Sequence, residues 1–185
     1  MFRGLKKNEL TLVRRSFDYW GAFPLANELE LIVRQAEPPE VYVVTPEVKY
    51  FAIGREPVPS LAGLLIGTVG RKQFNLTLEG AYLIAKASDR KKVKVTGQAE
   101  SLVLYGRDVF GSSITWAEDS IAQNERVIIA TRFGEAIGLG RARYGYDSLF
   151  ADRVTVTTEA DVGLYIRGQE NTKDTKGTKD TMCSY

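Results

Sequence analysis

Residues 121–144 read IAQNERVIIATRFGEAIGLGRARY and contain two strand patterns on either side of one turn signal. Arg126–Thr131 is short, apolar and rich in β-branched residues, which is typical of a strand. Gly134 turns the chain, and Ala136–Tyr144 returns as a second strand on which Arg141 and Arg143 share one face. This stretch therefore predicts a β-rich region that is built from short, closely connected strands.

The segments around this hairpin carry similar signals. Four further elements are predicted: a strand over Ala99–Leu104 that breaks at Tyr105-Gly106, helical turns over Arg107–Phe110 and Asp147–Ala151, and a strand over Val154–Thr157. A final helix is predicted from Thr158 to Arg167, with Thr157 or Thr158 as its N-cap. Many short strands separated by turns favour a small barrel or sandwich over residues 96–168.

The preceding residues, 1–95, predict an N-terminal α/β domain with a mainly antiparallel sheet. Leu10, Val13, Phe17 and Trp20 recur at helical spacing and form one apolar stripe. The basic residues on the other faces of this helix are interpreted as solvated, and an RNA-facing side is the alternative. The remaining predicted elements are strands at Glu28–Arg34, Glu40–Val44, Gly63–Val69 and Gln73–Leu78, and helices at Pro46–Ile53 and Leu78–Ala87. The overall class is α+β, and residues 169–185, rich in Thr, Lys, Asp and Gly, are expected to be a disordered tail.

The order of motifs after residue 100 resembles that of a PUA domain. The pattern begins with Gly106, Val109-Phe110, Gly111 and Ile114, and it continues through Ile121–Val127, where Asn124-Glu125 replaces the usual Gly-Asp pair. Gly134 and Ile137–Ala142 resemble the glycine-rich returning strand of that family. The resemblance implies a small β-barrel with short helices that binds RNA.

A narrower resemblance covers most of residues 1–168. Ser101–Gly106 and the closing Ala160–Arg167 are similar to the corresponding segments of the Nip-seven family, as is the order of the strands and turns from Val41 to Tyr82. Members of that archaeal and eukaryotic family are large-subunit assembly factors with an α/β domain before a PUA domain. The resemblance implies a non-catalytic factor whose PUA domain contacts uridine-rich RNA through a basic surface.

Composition narrows the possible chemistry. The chain has no histidine and a single cysteine, Cys183, which excludes histidine-dependent triads and most zinc sites. Gly138-Leu139-Gly140 lacks the third glycine of a dinucleotide fingerprint, because position 143 is arginine. We therefore expect no catalytic residues, no metal and no cofactor. No apolar run approaches the length of a membrane span, so a cytoplasmic protein without membrane contact is expected.

Charge is distributed unevenly along the chain. Residues 1–95 have a net charge of +5 and residues 96–168 a net charge of −3, although all seven cations in the second segment are arginines. Arginine binds phosphate bidentately and stacks on bases. Five arginines are predicted to contact RNA: Arg107, Arg141, Arg143, Arg153 and Arg167. A solvated barrel surface is the alternative, and for Arg167 a further alternative is that it satisfies the last carbonyls of the final helix. The neighbouring Asp108, Asp152 and Asp161 are interpreted as ion-pair partners.

The densest basic run is Arg90-Lys91-Lys92-Val93-Lys94. A run of this kind is usually a solvated turn, and secondary phosphate contacts by Arg90, Lys91, Lys92 and Lys94 are the alternative. The sequence thus predicts a monomeric, non-catalytic RNA-binding factor of large-subunit assembly and precursor rRNA processing, whose N-terminal domain docks other assembly proteins. The alternatives are a protein adaptor that binds no RNA and an accessory subunit of an RNA-modifying enzyme.

Overall fold

The computed structural model describes residues 1–54, 56 and 59–167. It contains two antiparallel-rich sheets with helices packed against them, so the predicted α+β class is confirmed. The tail expected over residues 169–185 lies outside the described residues.

The first sheet has five strands in sequential order, and every neighbouring pair is antiparallel. Its strands are β1 (Phe2–Arg3), β2 (Glu30–Arg34), β3 (Glu40–Val44), β4 (Leu64–Val69) and β5 (Phe74–Leu76). The helices of this half are α1 (Lys7–Tyr19), α2 (Phe23–Glu28), α3 (Pro46–Ala52) and α4 (Leu78–Ala87). The predicted strands and helices of residues 1–87 are all present, with shifts of a few residues at some ends.

The second sheet has six strands in the order β7-β11-β10-β9-β6-β8. Its strands are β6 (Lys92–Val95), β7 (Val109–Phe110), β8 (Ile114–Ala117), β9 (Arg126–Ala130), β10 (Ala136–Ala142) and β11 (Val154–Asp161). The two edge strands, β7 and β8, are joined by a single 3₁₀ turn, Gly111–Ser113, so the sheet curls into a nearly closed barrel. Two short helices, α5 (Gly97–Val103) and α6 (Leu164–Arg167), flank it. Strand β6 pairs with β8 and β9 in this second sheet, although it precedes the domain boundary predicted at residue 96.

One apolar core joins the two halves. The predicted stripe on α1 is confirmed, because Val13, Phe17 and Trp20 are buried in this core. The same cluster contains Ile128 of β9 and Leu139 of β10. The Tyr19 hydroxyl also donates a hydrogen bond of 3.0 Å to the backbone carbonyl of Arg126. Helix α4 joins the two halves, because it packs against β4 of the first sheet and against β9 and β10 of the barrel, and α1 adds the Tyr19 hydrogen bond.

Three local predictions for the second half are wrong. Residues 97–103 form helix α5 rather than a strand, because Thr96 caps the helix by accepting a hydrogen bond from the Ala99 amide. Val109–Phe110 forms strand β7 rather than a helical turn, because it pairs with β11. Thr158–Asp161 stays in β11 because it pairs with Gly138–Gly140 of β10, so the final helix is only the single turn Leu164–Arg167.

Glu9 anchors the first turn of α1. Its carboxylate accepts hydrogen bonds of 2.6 and 2.7 Å from the Arg3 guanidinium and one of 2.7 Å from the Lys6 amide. The hydrogen bonds from Arg3 lower the pKa of this buried carboxyl below its ordinary value. A carboxyl with a lowered folded-state pKa stabilises the fold above its unfolded pKa, and this contribution disappears as the pH falls through the folded pKa.

We predict that Glu9→Gln lowers the free energy of unfolding by about 2 kcal/mol at neutral pH, because it breaks a buried, charge-assisted pair. Urea denaturation at several pH values would show the difference from wild type shrinking below the ordinary carboxyl pKa of about 4.3. Glu28→Gln, at an exposed position of α2, is the control and should cost under about 0.5 kcal/mol. A Glu9→Gln deficit that is equal at all pH values would contradict this role for the carboxylate.

Candidate nucleic-acid interface

Three arginines stand side by side on the outer surface of the barrel. Arg126 of β9 lies directly opposite Arg141 of β10, and the Glu159 carboxylate of β11 accepts a hydrogen bond of 2.9 Å from the Nε of each. Arg143 follows at the end of β10 and donates a 2.7 Å hydrogen bond to the Thr157 hydroxyl. We name Arg126, Arg141 and Arg143 the arginine row.

The partners of the row hold it in place without covering it. Arg143 also donates a 2.9 Å hydrogen bond to Asp108, whose other oxygen accepts one of 3.0 Å from the Thr158 amide. The Arg141 and Arg143 side chains nevertheless remain 46% exposed. A guanidinium has five N–H donors, so each keeps donors that are free to meet a phosphate or a base edge. The row is thus a preorganised set of donors with a small net positive charge.

A groove lies beside the row, on the far side of Asp108. It has a volume of about 500 Å³ and is lined by residues from α5, the following turn, β7 and β11: Leu102, Gly106, Arg107, Asp108, Phe110 and Val154. The Phe110 ring is 49% exposed, and the Arg107 side chain has no ion pair within the described part of the chain. An exposed aromatic ring beside an unpaired cation is suited to stacking a base while binding its phosphate.

The other two predicted arginines are placed differently. Arg167 donates hydrogen bonds of 3.0 and 3.1 Å to the buried Asp161 and a further one to the Leu104 carbonyl, so its guanidinium joins α6 to the end of α5. Arg153 is exposed and stacks 3.9 Å above the centre of the Tyr144 ring. Arg153 and Tyr144 together place a cation beside an aromatic ring, whereas the Arg167 guanidinium holds α6 against the end of α5.

The basic run at residues 90–94 is largely internal. Lys91 is only 4% exposed and Lys92 only 1%. The Lys91 ammonium contacts Glu125 at 2.5 Å, and the Lys92 ammonium donates hydrogen bonds of 2.7 Å to the Ala85 carbonyl and 2.6 Å to Asp89. The hydrogen bond from Lys92 lowers the pKa of the Asp89 carboxyl.

For Lys91 and Lys92, these contacts contradict both the interpretation as a solvated turn and the alternative of phosphate contacts. Lys91 and Lys92 are neither solvated nor available to phosphate, because both side chains are buried and their ammonium groups bind partners within the protein. Only the ends of the run reach the surface: Arg90 is exposed, and Lys94 lies 5.0 Å from the centre of the Trp116 ring.

Several residues of this surface were not predicted from sequence. Arg126 was missed because its place beside Arg141 depends on the pairing of β9 with β10. Phe110 was assigned to a helical turn, where its exposure on an edge strand could not be foreseen. The only sequence signal for Phe110 was its position shortly after Arg107 and Asp108.

Within residues 1–54, 56 and 59–167, no group of three or more acidic, cysteine or histidine side chains is arranged to hold a metal ion. Over the same residues, none of the helices has the length and apolar character needed to cross a bilayer.

Sequence comparison assigns the barrel to a family. The profile of the UPF0113 PUA domain matches residues 91–170, and a UPF0113 protein of Archaeoglobus fulgidus is 37% identical over 172 residues, which are 91% of this chain and 96% of the relative. This chain belongs to the UPF0113 family. Both the arginine row and the groove lie inside the matched PUA domain. The narrower assignment to the Nip-seven family stays a prediction.

Solved structures share the whole architecture of this UPF0113 chain. A conserved PUA domain protein from Thermoplasma acidophilum superposes with a TM-score of 0.62 and 17% identity, covering 88% of this chain and 95% of that one. A PUA domain structure from Aeropyrum pernix gives a TM-score of 0.61 at 14% identity, covering 88% and 86%. At these identities the comparison establishes a common fold.

We predict that Lys92→Met lowers the free energy of unfolding by about 1–3 kcal/mol, because the Ala85 carbonyl loses a buried charged donor. Lys94→Met removes the same charge two residues away at a half-exposed position, and it should change stability by no more than about 0.5 kcal/mol. Urea denaturation of the two variants provides the comparison. Equal effects at both positions would show that Lys92 is no more important to the fold than a surface lysine.

Proposed function

We propose that this UPF0113 protein binds single-stranded RNA along the arginine row and the adjoining groove. The observation that carries this proposal is the geometry of that surface: three aligned guanidinium groups lead to a groove that holds an unpaired Arg107 and an exposed Phe110. Proteins that recognise single-stranded RNA generally combine phosphate contacts with stacking of unpaired bases on aromatic rings.

Double-stranded nucleic acid fits this surface less well. Glu159 and Asp108 offset two of the charges in the row, so the surface does not have the strong positive field that holds a duplex through its phosphates alone. The Phe110 ring needs an unstacked base, which a duplex does not offer. The geometry therefore favours a flexible single strand with accessible bases.

The cellular role that we propose is non-catalytic binding of precursor rRNA during assembly of the large ribosomal subunit. The resemblance of residues 1–168 to the Nip-seven family supports this role. The weak net charge of the row predicts modest affinity for RNA alone. Partner proteins that dock on the N-terminal half would raise the affinity in the assembled particle by adding a second attachment.

The test is fluorescence anisotropy with labelled oligouridine and oligoadenosine from about 50 to about 200 mM salt. Wild type should bind with a preference for uridine, and its affinity should fall as salt increases. Arg141→Ala/Arg143→Ala should weaken binding by at least about tenfold and flatten the salt dependence by about one phosphate contact or more, because two phosphate-binding cations are lost.

Arg34→Ala/Lys49→Ala is the matched control, since it removes two ion-paired cations of the N-terminal half, one on β2 and one on α3. It should leave RNA affinity nearly unchanged. If wild type binds no RNA at low salt, the proposal fails and a protein adaptor takes its place. If the control and the row variant weaken binding equally, the row is not the binding site. In a separate experiment, co-sedimentation of the row variant with large-subunit precursors tests the assembly role.

A further inference from the structure

A second pocket lies where the two halves of the protein meet. It has a volume of about 290 Å³ and opens between α1, the turn before β5 and the first residue of β9. Leu12, Tyr19, Trp20 and Phe74 form its apolar walls. This volume is near the lower end of the ~300–1,000 Å³ range of small-ligand pockets, which suits a single flat ring rather than an extended chain.

The rim of this pocket is positively charged. Arg15 and Lys72 are exposed at its edge, and neither has an ion pair in the part of the chain that the structure describes. Arg126 is the third cation of the lining, which contains no acidic residue. Glu159, which pairs with Arg126 of the lining, is shared between Arg126 and Arg141. An occupant with an apolar, planar part and a negative charge is therefore favoured.

Helix α1 builds this pocket with a second face. Leu12, Arg15, Ser16 and Tyr19 follow one another at helical spacing, beside the stripe that enters the core. Tyr19 is half-buried and packs edge-to-face on Trp20, with ring centres 4.9 Å apart. Its hydroxyl is held by the Arg126 carbonyl at 3.0 Å, so the ring is fixed before any ligand arrives.

The pocket lining also contains uncharged polar groups. Burial, together with the nearby Glu125 carboxylate, raises the pKa of Tyr19 to about 12, so the phenol stays neutral at physiological pH. Ser16 and Gln73 add a hydroxyl and an amide to the lining. These groups can donate to and accept from the edge of a base, as aromatic-walled pockets for unpaired bases require.

Arg126 connects this pocket to the arginine row. It lines the pocket, lies opposite Arg141 and shares Glu159 with it. Beyond the row, the strand order continues from β10 through β11 to β7, which bears Phe110. Three strand spacings of about 4.8 Å separate β9 from β7, so the pocket and the groove lie at opposite ends of one short basic path.

We infer that this pocket holds one unstacked nucleotide of the same RNA strand that lies along the arginine row, with the base between Tyr19, Leu12 and Phe74 and the adjoining phosphate on Arg15 and Lys72. The inference rests on the proposed function. It makes the N-terminal half a direct RNA-binding element, in addition to a docking site for assembly proteins. The basic side of α1 then faces RNA through Arg15.

The test compares labelled uridine oligomers of about two and about eight nucleotides, the longer of which lies within the ~4–16-nucleotide span of small β-barrel sites. Wild type should gain affinity with the longer strand, because the longer strand reaches both ends of the path. Arg15→Ala/Lys72→Ala should lose about tenfold in affinity for the longer strand. Both substituted side chains are exposed, so the variant should fold, and circular dichroism checks this.

Lys7→Ala/Arg14→Ala is the matched control, because it removes two exposed cations from other positions on α1. It should bind both strands like wild type. Oligouridine with a terminal 4-thiouridine adds a second measurement, since its cross-links should map to residues 12–19 or 72–74. Free uridine monophosphate, titrated against wild type, separates an RNA strand from a mononucleotide as the natural occupant.

The outcomes are distinguishable. If Arg141→Ala/Arg143→Ala weakens binding but Arg15→Ala/Lys72→Ala does not, the inference fails and the proposed function stands. If uridine monophosphate binds in an Arg15- and Lys72-dependent manner and the longer strand does not compete with it, the pocket takes a free nucleotide and the inference is overturned. If wild type binds no RNA, both ideas fail together. Loss of the length-dependent gain in Arg15→Ala/Lys72→Ala but not in Lys7→Ala/Arg14→Ala, with cross-links at the pocket, supports the inference.

Discussion

The apolar core shared by the two halves is the constraint on which the rest of the molecule depends, and within it α4 packs against both sheets. Val13, Phe17 and Trp20 share one core with Ile128 of β9 and Leu139 of β10, so the two sheets cannot move independently without exposing that core to water. The Tyr19 hydroxyl adds a polar contact between the halves by donating a hydrogen bond to the backbone carbonyl of Arg126. Pairing of β9 with β10 places Arg126 at the end of the arginine row, and the same residue lines the pocket beside α1. The junction between the halves is therefore also part of the proposed RNA path.

The electrostatic design of this surface differs from that of a strongly basic nucleic-acid-binding protein. Glu159 and Asp108 hold three arginines in fixed positions and reduce their net charge at the same time. Such an arrangement limits nonspecific attraction to phosphate and leaves more of the discrimination to stacking and to hydrogen bonds with bases. The unpaired cations, Arg107 at one end and Arg15 and Lys72 at the other, are where phosphate contact is least offset by acidic neighbours. Selective binding of a short single strand is the property that this distribution of charge favours.

Buried lysines show how misleading a charge run can be. In sequence, Arg90–Lys94 has the strongest basic pattern of the chain, yet two of its four cations are satisfied inside the protein by Glu125, Ser120, Asp89 and the Ala85 carbonyl. Their partners lie up to 34 residues away, at distances that no local pattern encodes. Conversely, the arginines of the row come from a segment with a net negative charge. Regional charge was therefore a poor guide to the surface, and strand pairing was the deciding factor.

The sequence by itself determined the elements whose stability is local or whose burial is periodic. The stripe of α1, the strand Glu40–Val44 and the helix Leu78–Ala87 follow from side-chain spacing and capping, and the PUA pattern follows from the order of glycines and apolar residues. Only the tertiary structure decided the fate of residues 97–103, 109–110 and 158–161, because capping by Thr96 and pairing with β10 and β11 outweighed their weak local preferences. The tertiary structure also decided which arginines lie side by side. Arg126 and Arg141 are 15 positions apart in the chain and become neighbours only when β9 and β10 pair, since hydrogen bonding between strands, and not sequence spacing, sets which side chains share a face.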